Sequence, residues 1–491
     1  MSFVPSQQQQ AFFNWILIGN GSAILEAVAG AGKTTTGLEG LKLMKGDVFV
    51  GAYSKNICEE MKVKVAKLNL PNVDVSTVHA AGLKMWKKIA KYVQVDSNKC
   101  RKIFDTIVDK DDHKYKTAVI NLVSYAKQAA IGISTPTIDN DWYELIDHFN
   151  IDCQEKEELV IDLAKKVLSA SINQDHKVID FDDMIYAPLY HKVKPVKEVD
   201  WVVIDEAQDI SHARKLLVLL MLKRGGRLVA IGDPAQSIFA FSGASSDSLD
   251  NIAKSVDAIR LPLTVSYRCP KKVVEEARKY VSHITSHESA IDGEVIDINV
   301  SELISTAKAD DMIVSRFNRP LIDLVYKFIA EGIAARVEGK EISESMQTLV
   351  RRYKAKSFSV LLDKLEAYKD RETVKYRLKE KEGLAVAVED KVSCIKTIVD
   401  RLQKIDPKCS DPVERICSEI KEIFGEDGNK KAVILTTIHK AKGREAANVF
   451  WLQTGPSKWA KQSWEKIQET NLLYVAITRA MKKLYKVTLD K

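Results

Sequence analysis

The seven cysteines, Cys58, Cys100, Cys153, Cys269, Cys394, Cys409 and Cys417, include no C-x-x-C pair and stand in no Cys/His cluster. That scatter excludes the common zinc modules and a disulfide framework, and it fits free thiols in a reducing compartment. No apolar run approaches the ~20 residues of a membrane-spanning helix. The longest, LLVLLML, covers only 216–222. Residues 1–20 lack the basic start and apolar core of a secretion signal, so a soluble, cytoplasmic protein with no membrane partner is expected. No segment recurs at a solenoid period, which excludes stacked repeats. QQQQ at 7–10 is the one low-complexity tract. Charge of one sign is also scarce: 74 basic against 67 acidic residues leave a net charge of +7. That tilt favours a polyanionic partner, and a solvated surface explains it equally well.

What the chain does contain is alternation. SAILEAVA (22–29), DVFVGAY (47–53), VDWVVIDE (199–206) and RLVAIGD (227–233) read as buried parallel strands, each ending in a polar or glycine-bearing loop. Ligands of open α/β sheets bind at such strand ends. The expected fold class is α/β, with two lobes of parallel sheet, each interrupted by a mainly helical insertion. The expected division is 1–83 and 179–259 for the first lobe, with 84–178 inserted, and 260–340 and 429–491 for the second, with 341–428 inserted. DMIVSR (311–316) and KAVILTTIH (431–439) are strand candidates of the second lobe, and NLLYVAITRAMKKL (471–484) is a helix candidate.

AVAGAGKTTTG (27–37) joins a strand to a helix, the context a phosphate-binding loop needs. Backbone N–H groups from Gly30 to Thr34 would face phosphates at a helix N-terminus, Lys33 would reach the β- and γ-phosphates, and Thr34 would hold Mg²⁺. Ala27 stands where the usual pattern has its first glycine, and this is tolerable if φ there is negative. VVIDEAQD (202–209) brings two carboxylates to a strand end: Asp205 for the metal, Glu206 to deprotonate water. In GDPAQSIFAFSGA (232–244), Gln236 could sense the γ-phosphate, while Phe239 and Phe241 face either outward or into a core. Arg268 and Arg479 are candidates for the positive charge that phosphoryl transfer requires, although either alone reads equally as a surface arginine.

Taken in order, these segments resemble the superfamily 1 DNA helicases of the UvrD/Rep type, along nearly the whole chain. VPSQQQQAF resembles an adenine-reading motif, AVAGAGKT the family's A-x-A-G-x-G-K-T, AYSKNICEEM motif Ia, and STVHAAG motif Ib. DEAQD, GDPAQSIFAFSGA, LTVSYRCP, TTIHKAKGRE and LLYVAITRA are similar to motifs II to VI. In the family the first glycine of the loop is normally alanine, which accounts for Ala27. Small phage-encoded members and the F-box DNA helicase core are both similar.

The resemblance implies two RecA-like lobes with ATP and Mg²⁺ in the cleft between them. Gln8 would read adenine and Tyr267 would stack on it. Ala29, Gly30, Ala31, Gly32, Lys33, Thr34 and Thr35 would cradle the phosphates, with Thr34 and Asp205 on the metal. Glu206 would run hydrolysis, Gln236 would couple it to movement, Arg268 and Arg479 would be arginine fingers, and Glu445 would touch the ribose. Single-stranded DNA would meet Tyr53, Ser54, Thr77, His79, Phe241, Thr437 and His439. The implied partners are single strands and duplex junctions, with a replication, repair or nuclease protein alongside. The implied location is the nucleoid, or host cytoplasm for a phage protein.

Some positions depart from the family pattern. Thr35 replaces an arginine, Ser242 the arginine of R-G-A, Ser266 an asparagine, and Arg444 a leucine. Larger members place a strand-separating hairpin after motif VI, and only a short sequence follows Arg479 here. Of the aromatics on the first insertion, Trp86, Tyr92, Trp142, Tyr143 and Phe149, most are expected to form its core, leaving one exposed aromatic or loop to meet duplex. Three readings follow: a 3′→5′ helicase, a translocase that strips proteins from DNA and unwinds weakly, or a helicase-like ATPase subunit of a nuclease or defence complex.

Overall fold

Short apolar runs between polar loops form strands throughout the computed structural model, which describes residues 3–52, 54–133, 139–149, 151–173, 176–238, 248–331, 333–338, 340–378, 382–407, 409–424, 432–454 and 463–489. The chain divides into two units, Met1–Leu263 and Thr264–Lys491. Both are α/β with all-parallel main sheets, as expected.

The first unit opens with α1 (Gln7–Ile18), whose N-terminus is a capping box: Gln9 N–H donates to the Ser6 hydroxyl, and Ser6 N–H donates to Gln9 Oε1. Then come β1 (Ala23–Ala27), α2 (Lys33–Leu41), β2 (Val48–Ala52), α3 (Lys55–Lys67), β3 (Val73–Thr77) and α4 (Val78–Trp86). The first insertion carries β4 (Gln94–Val95), α5 (Lys99–Ile107), α6 (Lys116–Gln128), α7 (Asp139–His148), α8 (Glu157–Asn173) and β5 (Val178–Ile179). The lobe resumes with α9 (Asp183–Tyr190), β6 (Val199–Ile204), α10 (His212–Leu220), β7 (Leu222–Gly232), α11 (Ser248–Val256) and β8 (Ile259–Leu263).

The main sheet runs β3-β2-β6-β7-β1-β8. Its order decides where chemistry can occur: β6, β7 and β1 are neighbours, so the loops after them share one edge. The expected boundary at 259/260 falls inside β8, which pairs with β1 from Ala23↔Ile259 to Ala27↔Leu263. Those pairings draw residues 260–263 into the first unit.

The insertion has its own core of Phe104, Leu122, Val160, Val167 and Trp142. It is also pinned to the lobe by buried charge. Lys127 Nζ lies 2.7 Å from both Asp180 Oδ2 and Asp183 Oδ1, and Lys99 Nζ is 2.7 Å from Asp183 Oδ2. Burial alone would lower the Lys127 pKa, but Asp183 and Asp180 outweigh it and hold the ammonium above its ordinary value. At the root of the insertion, α4 crosses α9 so closely that a Cβ on Gly82 would lie 2.0 Å from the Met184 carbonyl oxygen.

The second unit contains β9 (Val265–Ser266), α12 (Lys271–Ala277), β10 (Thr285–Ser286), β11 (Glu294–Asn299), α13 (Val300–Thr306), β12 (Met312–Ser315), α14 (Arg319–Ala330) and β13 (Ala335–Val337). Its insertion is α15 (Lys340–Tyr353), α16 (Phe358–Leu378), α17 (Glu382–Ile405) and α18 (Pro412–Phe424). After it come β14 (Val433–Thr437), α19 (Ile438–Ala441), β15 (Ala446–Leu452), α20 (Ser463–Ile477) and β16 (Ala480–Thr488). The sheet order is β11-β16-β15-β12-β14-β13. This insertion shares its core with the sheet: Met346, Leu361, Ile395 and Ile416 pack in one cluster with Val433 and Leu435.

The helix expected over 471–484 is corrected. It ends at Ile477, and Ala480–Thr488 is a strand between β15 and β11. Thr478 Oγ1 donates to the Tyr474 carbonyl at 2.8 Å, and Arg479 Nε to that of Val475 at 2.9 Å. These side chains take the last helical carbonyls and stop the helix. Beyond them, Leu484 and Val487 bury in the sheet core while Lys482 stays exposed. Among the described residues, no helix is long and apolar enough to cross a membrane.

Candidate functional site

The phosphate-loop residues follow β1. Ala27 is the last strand residue, paired with Leu263, and it has no positive φ. Gly30 and Gly32 do, at 74° and 76°. These two glycines turn the chain left-handed, a conformation costly for other residues. The turn leads directly into α2, whose first N–H groups have no helical carbonyl to meet. Lys33, Thr34 and Asp205 line one small recess. Lys33 Nζ is 3.8 Å from Glu206 Oε1.

Asp205 and Glu206 follow β6. Burial first, then the Glu206 charge, push the Asp205 carboxyl up to about 6. Glu206 itself has φ 51° and ψ 43°, a left-handed backbone that a non-glycine residue adopts at a cost of roughly 1–3 kcal/mol. Gln208 helps to hold it there. Its Nε2 donates to Glu206 Oε2, while its Oε1 accepts the Asp233 N–H at 3.1 Å. Asp233 in turn accepts from Gln236 Nε2 at 2.6 Å. Its own carboxyl is pushed up by burial. A continuous chain Glu206–Gln208–Asp233–Gln236 therefore links the loops after β6 and β7. Gln208 and Asp233 were not singled out in the sequence, although their placement inside DEAQD and GDPAQ was a signal.

Gln8 lies half-buried on α1. Its neighbour Gln9 is the buried one and donates to Thr36 Oγ1 at 2.8 Å, tying α1 to the loop helix. Ala29 and Ala31 are buried, and Thr35 is exposed.

Ser54 caps α3 and Thr77 caps α4, at the ends of the adjacent strands β2 and β3. His79 shares a small recess with Asp205, Glu206 and Arg214. Burial, then the Arg214 charge, lower its pKa to about 4, so the ring is neutral at pH 7. Arg214 was not among the expected residues. Tyr53, Phe239, Phe241 and Ser242 lie outside the described residues.

In the second unit, Thr437 ends β14 and His439 is the second residue of α19. Burial, then Arg316 and Lys442, lower the His439 pKa to about 3. Arg268 is paired with Glu445, which brings together the expected arginine finger and ribose contact. Tyr267 is 44% exposed, with His287 tilted against it at 4.8 Å. Arg479 is buried, and its guanidinium donates to the carbonyls of Val475 and Arg444. Among the described residues there is no cluster of three or more His, Cys, Asp or Glu side chains suited to a metal.

Two family patterns match the chain. The UvrD/REP helicase N-terminal domain covers residues 6–257, and the UvrD-like helicase C-terminal domain covers 432–487. The chain is similar to ATP-dependent DNA helicase Rep of Buchnera aphidicola, 22% identical over 300 residues, covering 55% of this chain and 43% of the relative. It is similar to ATP-dependent DNA helicase PcrA of Leuconostoc citreum, 23% identical, covering 54% and 37%. ATP-dependent DNA helicase UvrD1 of Mycobacterium tuberculosis is 24% identical, covering 69% and 45%. The chain thus spans less than half the length of these curated relatives. With the N-terminal match alone spanning more than half of its residues, the chain belongs to the UvrD/Rep helicase family.

Proposed function

We propose that this chain is an ATP-driven motor on single-stranded DNA, moving 3′→5′ and separating duplex at junctions. The observation that carries the reading is the shared sheet edge: a glycine-turned phosphate loop, Lys33, and the Asp205–Glu206 pair within reach of it. The Glu206 carboxylate lies 3.8 Å from Lys33, and Thr34 and Asp205 line one recess with that lysine, a donor set that suits a divalent cation. Bound there, Mg²⁺ would neutralise phosphate charge. Lys33 and the first N–H groups of α2 would hold the phosphates, and Glu206 would take the proton from attacking water.

The chain Glu206–Gln208–Asp233–Gln236 gives hydrolysis a route to the loop after β7, where Phe241 is assigned to DNA. Ser54, Thr77 and His79 at the ends of β2 and β3 are assigned to the strand, as are Thr437 and His439 of the second unit. The roles of Gln8, Tyr267, Arg268, Glu445 and Arg479 rest on the family resemblance. Polarity rests on it too. The test is ATP hydrolysis with and without single-stranded DNA, then strand displacement on 3′- and 5′-tailed duplexes. Hydrolysis that DNA does not stimulate would overturn the motor reading. Stimulated hydrolysis with no displacement would leave a translocase.

A further inference from the structure

In the first unit, a cavity of about 190 Å³ lies where the first insertion meets the lobe. Its polar side is formed by His148 from the end of α7, by Ser211, His212 and Lys215 from the start of α10, and by Ser248 and Asn251 from the start of α11, while Ala129, Leu145, Phe149 and Ile210 form its apolar side. No Asp or Glu lines it among the described residues.

Lys215 is only 6% exposed. Its ammonium donates to Ser255 Oγ at 2.9 Å and to the Asn251 carbonyl at 3.4 Å, both neutral acceptors. Among the described residues it has no carboxylate partner, and burial lowers its pKa. A buried charge of this kind is normally paired, as Lys127 is by two aspartates in the same unit. His212 is lowered by burial and then by Lys215 itself, so the two basic groups oppose each other's charge across the cavity wall. The first turn of α10, a nine-residue helix with no acidic residue in that turn, adds the positive end of a helix dipole. The first turn of α11 carries Asp250, which pairs with Arg260, so α11 contributes side chains rather than a dipole.

We propose that this cavity is an anion site that takes a phosphate group, held by Lys215 with His212 and His148 and by N–H groups of the first turn of α10. The chemistry is that of phosphate recognition: a point charge, imidazole donors and a helix N-terminus. Size narrows the ligand. Pockets for drug-sized ligands run to roughly 300–1,000 Å³, so this smaller space suits a phosphate group with a few waters rather than a whole nucleotide. Free inorganic phosphate and a phosphodiester of a bound strand share that chemistry. The site joins α7 of the insertion to α10, which follows directly on Asp205–Asp209. Its occupancy would therefore brace the insertion against the lobe.

The test titrates inorganic phosphate against chloride at constant ionic strength into the 491-residue chain carrying Lys33→Ala, which removes the lysine of the phosphate loop. The expected result is a saturable rise in melting midpoint. Adding Lys215→Met should weaken phosphate binding roughly 10- to 100-fold, the loss of a charge-assisted hydrogen bond. The same change should raise the phosphate-free midpoint, because it removes an uncompensated buried charge. His212→Gln, a milder change, should weaken phosphate binding several-fold and keeps the test decisive if Lys215→Met does not fold.

In phosphate-free buffer, oligonucleotide binding by Lys215→Met in the otherwise unaltered chain distinguishes the sources. Weakened binding with competition by phosphate assigns a strand phosphodiester, and unchanged binding assigns the free anion. A folded Lys33→Ala protein with no saturable phosphate effect, or equal effects with and without Lys215→Met or His212→Gln, overturns the proposal. Absence of DNA-stimulated hydrolysis in the unaltered protein would sink the motor reading and leave this site standing.

Discussion

Asp205→Asn should make the nucleotide-free protein more stable while abolishing Mg²⁺-dependent hydrolysis. The magnitude follows from the carboxyl's surroundings. Burial and Glu206 push it from an ordinary 3.8 to about 6, so its ionised form costs roughly 3 kcal/mol in the folded state. Part of its surface still reaches water, which reduces the figure to between about 1 and 3 kcal/mol. Asparagine keeps the acceptor for the Glu206 N–H, which donates to Asp205 Oδ1 at 3.0 Å, and removes only the charge.

The sign can be worked through. Between about pH 4 and 6 the folded state holds a proton that the unfolded state has released. Stability from this group therefore falls as pH rises through that window and is flat beyond it. The gain from Asp205→Asn is full at pH 8 and gone at pH 4. At roughly 2–4 °C per kcal/mol for a unit of this size, the midpoint should rise by about 2–12 °C at pH 8 in EDTA. Trp15, Trp86, Trp142 and Trp201 report on the first unit. A midpoint that is unchanged or lower at pH 8, or a gain that persists at pH 4, would refute the account of a charge held at a cost for a cation.

Further outcomes follow from the same contacts. Glu206→Gln should retain nucleotide binding and lose turnover by roughly 10²–10⁴-fold, read as single-turnover hydrolysis beside equilibrium nucleotide binding. Lys127→Met should destabilise the first unit by about 3–5 kcal/mol, read in urea, because it leaves the Asp180 carboxylate without its lysine and Asp183 with Lys99 alone. His79→Gln should leave the salt dependence of single-strand binding unchanged, since the ring it replaces is neutral at pH 7.

The fold was legible where strand and helix periods differ. β1, β2, β6, β7 and β12 are apolar runs too short for helices, and each formed where the pattern indicated. Residues 471–484 misled because apolar residues from Leu472 to Ile477 and Leu484 suit a helix by spacing. The side chains of Thr478 and Arg479 end that helix, and pairing partners far along the chain decide the strand beyond. The Lys33, Asp205 and Gln236 positions were legible because motif residues sit at strand ends. What could not be read was the second layer. Gln208 bridges Glu206 to Asp233 only because β6 and β7 are neighbours, and Arg214 reaches His79 across a helix and a strand end. Lys215 sits on α10 with nothing in its local sequence to mark it as buried.

The two insertions pose different experimental problems, and this decides how strand separation can be tested. Deleting 84–178 looks like the direct route, because the insertion has a core of its own. That deletion would remove Trp86, which is 1% exposed and packs in the lobe's core, and it would remove Lys99 and Lys127 while leaving Asp180 and Asp183 buried. Loss of unwinding in such a protein would report misfolding as readily as a missing wedge. The aromatics separate more cleanly. Trp86 and Trp142 are buried, and Tyr143 and Phe149 pack against the insertion's core, whereas Tyr92 is 77% exposed beside β4. If an aromatic of this insertion meets the junction, Tyr92 is the one positioned to do so without rearrangement. Tyr92→Ala removes little from either core, so the fold and DNA-stimulated hydrolysis should be unchanged. Base–aromatic stacking is worth roughly 1–3 kcal/mol, so strand displacement per ATP should fall about 5- to 150-fold. Equal displacement per ATP in Tyr92→Ala and the unaltered protein would remove this insertion's aromatics from strand separation.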